Sequence, residues 1–110
     1  MAVVVPDVIN RYYRAVNDGD TDAFVDCFAE NASVSDEDRI HEGRAAIRAW
    51  RERTAASSPY TADPVSAEAE AGDNYVVTSR VSGTFPGSPI LLRFRFTLRD
   101  GLIGALDIRP

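Results

Sequence analysis

Hydrophobic positions recur along this chain first every three to four residues and then every second one, and the change of period separates its elements. Ile9, Tyr12, Tyr13 and Val16 share one face at helical spacing. Asn17-Asp18-Gly19-Asp20 stops that helix and starts another: Gly19 suits a left-handed C-terminal position, and Asp20 can cap the next N-terminus. Ala23, Phe24, Cys27 and Phe28 form the second apolar stripe. The period then changes, because Ala32 and Val34 alternate with Ser33 and Ser35 as in a strand. A hairpin around Glu37-Asp38 follows, and Gly43 leads into a third helix whose apolar face carries Ala46, Ile47 and Trp50. Ser57-Ser58-Pro59 ends it.

The remaining half reads as four long strands in a meander. Val65, Ala67, Ala69 and Ala71 alternate with Ser66, Glu68 and Glu70, and Gly72-Asp73-Asn74 is a turn. Tyr75 to Val81 is rich in β-branched residues, and Phe85-Pro86-Gly87-Ser88-Pro89 makes the next connection. Ile90, Leu92, Phe94, Phe96 and Leu98 alternate with Leu91, Arg93, Arg95, Thr97 and Arg99 in the clearest strand, and Asp100-Gly101 turns into the last, from Ile103 to Ile108. Three helices and a segregated antiparallel meander predict an α+β fold. Strands of roughly ten residues span about 33 Å, so the sheet must twist and curl, leaving room for a cavity at one end. Arg93, Arg95 and Arg99 fall on the opposite, convex face, where Glu68 and Glu70 can meet them across strands. That face is either a solvated salt-bridged surface or the contact with a second subunit.

Composition narrows the function. The chain has 110 residues, 45% of them hydrophobic and 26% charged, which predicts one soluble domain over residues 1–110. A formal net charge of -5 argues against nucleic acid, whose phosphates need a basic face. No run approaches the ~20 apolar residues of a membrane span. The first six residues lack a signal peptide's basic region and apolar core, and the single cysteine cannot form an internal disulfide, so a cytoplasmic protein is expected. All twelve basic residues are arginine, which removes Schiff-base chemistry and a Walker-type lysine. With one histidine, His41, and no Cys/His cluster, neither a zinc site nor a Ser-His-Asp triad is supported, and no cofactor is expected.

Asp36 is the candidate that stands out. It continues the inward parity of Ala32 and Val34, so it places a carboxylate on an apolar face. Alternatively it caps the Glu37-Asp38 turn and points to solvent beside Arg39. Three adjacent acids, Asp36 to Asp38, point in different directions and make a poor cation site. Trp50, Phe94 and Phe96 are core residues that can also wall a cavity, and Arg80 could enter it as an anion clamp. Cys27, between Phe24 and Phe28, reads as buried and structural, and His41 as a surface residue.

Arg11-Tyr12, Ala15 to Asp20, Phe28 to Asp36 and Glu42 to Ile47 together resemble the nuclear transport factor 2-like superfamily, most closely its SnoaL-like polyketide cyclase and ketosteroid isomerase group. The resemblance covers nearly the whole chain. It implies a cystatin-like cone: a curved antiparallel sheet wrapped on three N-terminal helices, a pocket at the open end taking a small apolar organic ligand, and a homodimer through the convex sheet face. It matches Asp36 to the proton-shuttling base of the isomerases, Tyr12 to the tyrosine that donates to the substrate oxygen, and Trp50 to an aromatic lining position. The second, protonated acid of the isomerases has no counterpart, since its position falls at about Phe94. That tuned pair of oxyanion donors belongs to ketosteroid isomerase itself. The implied function is an acid–base isomerase or cyclase acting on a ketone-type substrate. A non-catalytic ligand-binding or dimerisation module is the alternative, and epoxide hydrolysis would need Arg80 and Asp107 to converge on Asp36.

Overall fold

The computed structural model describes residues 4–110. Among these, the chain runs α1 (Asp7–Asp18), α2 (Thr21–Asp26), β1 (Phe28–Asp36), β2 (Arg39–Glu42), α3 (Arg44–Ser57), β3 (Tyr60–Ala69), β4 (Asn74–Gly83), β5 (Ile90–Arg99) and β6 (Leu102–Arg109). The junction between α1 and α2 forms as its residues dictate. Gly19 takes the left-handed conformation at φ 70°, and the Asp20 carboxylate accepts from the Ala23 N–H at 3.1 Å. The second helix is shorter than its apolar stripe: it ends at Asp26, and Phe28 opens β1 instead.

The six strands form one sheet in the order β2-β1-β6-β5-β4-β3, with all three helices packed on one face. β3 to β6 are the antiparallel meander, and β1 and β2 form an antiparallel hairpin. The hairpin joins the meander through a parallel pairing of β1 with β6, which needs the long crossover that the rest of the chain provides. Asp36 consequently lies opposite Ile108, where both strands end.

Irregularities at 28/33 in β1, at 64/66 in β3 and at 97/98 in β5 bend the strands, so the sheet curls around the helices without closing. The bulge in β3 changes one expectation. Tyr60, Ala62 and Pro64 face the helices, Val65 is the extra residue and is 46% exposed, and the inward parity resumes at Ala67. Pro64 cannot donate a ladder hydrogen bond, which makes this the natural place for the slip.

The core fills the concave side with Ile9, Tyr12, Phe24, Phe28, Ile47, Phe96, Ile103 and Leu106, all at 1% exposure or less. Tyr12 sits at its centre, its ring between 5.1 and 6.3 Å from those of Tyr13, Phe24, Phe28, Phe94 and Phe96. On the outer face Arg93, Arg95, Glu68 and Glu70 are exposed, and Glu70 pairs with Arg95.

Candidate functional site

Asp36 is placed by the turn that follows it. Glu37 and Asp38 both adopt left-handed backbone, φ 51° and 62°, so two residues close the hairpin and set Asp36 against Arg39. Such turns match the twist of the flanking strands, at some strain for a glutamate. Asp36 is thereby held half-buried at the end of β1. Burial pushes its carboxyl above the usual aspartate value and the Glu37 charge adds to the rise, while hydrogen bonding from the Trp50 side chain and the Glu37 backbone holds it back.

Beside Asp36 a void of about 390 Å³ opens between the C-terminal half of α3 and the strand ends. Trp50, Thr54 and Ser58 line it from α3, Tyr60 from β3, Val81 from β4, Phe85 and Pro86 from the following loop, and Leu92, Phe94 and Ile108 from β5 and β6. The lining is mainly apolar, with Asp36 and Glu37 as its acids. His41 on β2 stacks on Trp50 with ring centroids 5.7 Å apart, so it supports the indole and is half-buried rather than a free surface group. Asp36 also borders an open groove with Ile40, Ile90 and Pro110 at the rim.

Behind this wall lies a second polar group. Tyr13 donates or accepts with Ser79 at 2.7 Å, but the Tyr12 hydroxyl, wholly buried, has no partner among the described residues. Burial is the main cause that raises the Tyr12 phenol well above its ordinary value. Arg51 follows Trp50 on α3 and is 3% exposed. Its guanidinium lies 5.5 Å from the Phe24 ring centroid and 5.4 Å from that of Tyr60, and Nη2 donates to the Val16 carbonyl at 3.1 Å.

The expected site residues are therefore only partly brought together. Asp36, Trp50 and Phe94 share the void. Phe96 is fully buried and does not line it, because β5 carries it one layer further into the core. Tyr12 does not line it either: its ring packs on the inner side, where Phe94 meets it at 6.3 Å. Arg80 corrects an expectation outright. Strand parity sends it to the face opposite Val81, where it is exposed, so it cannot clamp an anion inside. Asp107 pairs with Arg109 and borders the open groove together with Asp36, but Arg80 lines neither the void nor that groove, so the set of Asp36, Arg80 and Asp107 does not assemble. Tyr60 and Arg51 were missed. The signal for Arg51 was its spacing, since Ile47, Trp50, Arg51 and Thr54 complete one helical stripe.

A curled sheet over three helices, with a mainly apolar void at its open end, is a small-molecule-binding architecture. The chain belongs to the SnoaL-like domain family, whose model matches residues 9–105. Among solved structures it is 40% identical to SMa1630 of Sinorhizobium meliloti, a protein assigned as a polyketide cyclase, over 96% of this chain and 95% of that one, with a TM-score of 0.92. The epoxide hydrolase/cyclase-like enzyme SalBIII, of pyran ring formation in the polyether salinomycin, is 29% identical over 94% and 87% of the two chains, with a TM-score of 0.82. A Catenulispora acidiphila protein with a ketosteroid isomerase-like fold, solved with trimethylamine, shares the architecture at a TM-score of 0.84 and 19% identity, over 97% and 87% of the chains. None of the curated proteins matches the chain.

Proposed function

We propose that this protein is an acid–base isomerase or cyclase that takes an apolar, ketone-type molecule into the 390 Å³ void and moves a proton on it with Asp36. The observation that carries the reading is the half-buried carboxylate at an apolar wall. Desolvation raises its proton affinity and so makes it a better base towards a carbon acid beside a carbonyl. The 40% identity to an assigned polyketide cyclase agrees with it. Tyr12, which the resemblance makes the donor to the substrate oxygen, has an uncommitted hydroxyl among the described residues but lies behind the lining, so it takes that role only when the wall of the void gives way. By the resemblance, the second acid of the isomerases falls at about Phe94, and one lost oxyanion donor typically costs about 10²–10³ in rate. The same phenylalanine, 2% exposed, favours the second reading, a ligand-binding module without turnover.

The test is exchange of α-protons. Flat polycyclic ketones are first ranked by thermal shift, where ligand at 100 times its dissociation constant stabilises by about 2.7 kcal/mol. The best binder is then followed by proton NMR in deuterated buffer. Asp36→Asn should lower the exchange rate by about 10²–10⁴-fold while the thermal shift persists. Binding without exchange in the wild type supports the non-catalytic reading, and equal exchange by the variant removes Asp36 from the chemistry.

A further inference from the structure

Helix α3 buries a charge that forms no ion pair among the described residues. Arg51 is the buried charged residue among those described, and none of their ion pairs includes it. A guanidinium cannot shed its proton to escape burial, as a lysine can. Phe24 and Tyr60 offer their ring faces, and cation–π contact offsets part of the desolvation cost. Nη2 reaches the Val16 carbonyl and the Tyr60 hydroxyl lies within hydrogen-bonding range of the guanidinium, but among the described residues Nε and Nη1 have no well-aligned acceptor. The Tyr12 hydroxyl is in the same condition, and the Arg51 charge acts on both Tyr12 and Tyr60, opposing the rise that burial imposes on each. A cation and a phenol, both able to donate and lacking acceptors, are the complement of an anionic oxygen.

We propose that Arg51 and Tyr12 form an anion subsite adjoining the void, which receives a carboxylate or acidic enol oxygen of an otherwise apolar ligand. The subsite is next to the void. Trp50 and Thr54, on either side of Arg51 along α3, line that space, and so does Tyr60, whose ring carries the guanidinium. Displacing the Tyr60 ring joins the two. The inference rests on the proposed ligand-binding role of the cavity and narrows its substrate class to apolar keto acids and 1,3-dicarbonyl compounds. Proton removal by Asp36 from such a molecule leaves the electron pair on an enolate oxygen, the charge that this subsite suits.

The experiment compares β-naphthoate with β-acetonaphthone, two ligands of the same ring system in which an anionic oxygen replaces a methyl group. Titration calorimetry at neutral pH should show the wild type preferring the naphthoate by about tenfold or more, the scale of a hydrogen bond to a charged group. Arg51→Met, which keeps the apolar stem, should lose that preference while holding the ketone; Arg51→Lys should keep part of it. Should Arg51→Met fail to fold, the wild-type ratio and the lysine variant decide. Equal affinities in the wild type, or a preference that survives Arg51→Met, overturn the subsite and leave the cavity standing. Failure of both probes to bind the wild type overturns the cavity reading and the subsite with it.

Discussion

A carboxylate beside an apolar void destabilises the chain that carries it, and Asp36 therefore couples stability to pH in a definite direction. Its folded value lies above the 3.8 of a free aspartate, so between the two values the folded state binds more proton than the unfolded one. The cost of Asp36 is absent below 3.8, where both states are protonated, and fully present once pH has risen through the folded value. Asp36→Asn should accordingly melt higher than the wild type at neutral pH. The gap should close on acidification to below 3.8, a comparison that scanning calorimetry makes directly. Turnover should move the opposite way, falling as the base is protonated. The position of Asp36 was legible in the sequence, because strand parity alone sends it inward with Ala32 and Val34. Arg51 had only its place in the helical stripe of Ile47, Trp50 and Thr54 to mark it, against a polarity that argues for the surface, and the packing of Phe24 and Tyr60 on its guanidinium explains the burial.

Between elements, α1 and β3 are tied by one side chain. Asn17 donates to the Ala62 carbonyl at 2.9 Å and accepts from the Ala62 N–H at 2.8 Å. β3 is one of the two edge strands, and these are the backbone groups it does not use in pairing with β4, so Asn17 covers part of an edge that would otherwise be open. Ala62 is fully buried, and removing the amide would leave two polar groups without partners. Asn17→Ala should lose about 2 kcal/mol in urea denaturation, the scale of such an unsatisfied group. Hydrogen exchange should speed up in β3 before β5. Helix ends and meander turns could be read from Gly19, Asp20 and Asp100-Gly101, whose backbone preferences are local. The pairing of β1 with β6 and the bulge at Val65 could not, because both depend on which distant strand lies alongside.

At the scale of the whole molecule, the sheet has a concave face that carries the helices and the void and an outer face that carries exposed charges. The outer face holds a shallow polar groove with Glu68 from β3 and Glu70 just beyond it on one side and Arg93 and Arg95 from β5 on the other. Glu70 and Arg95 already pair, whereas Glu68 and Arg93 lack ion-pair partners among the described residues. A surface with acids along one flank and bases along the other complements itself under a two-fold rotation, which sets Glu68 of one copy against Arg93 of the next. The cavity would remain accessible, since it lies on the concave side at the strand ends. Exposed pairs contribute only about 0–1 kcal/mol each, so a homodimer built this way would be weak and strongly screened. Sedimentation equilibrium at low ionic strength should then give twice the chain mass of 12.0 kDa, falling towards 12.0 kDa as salt is added. Arg93→Glu should abolish the dimer, and combining it with Glu68→Arg should restore it. A mass of 12.0 kDa at every salt concentration would leave the outer face as a solvated surface and nothing more.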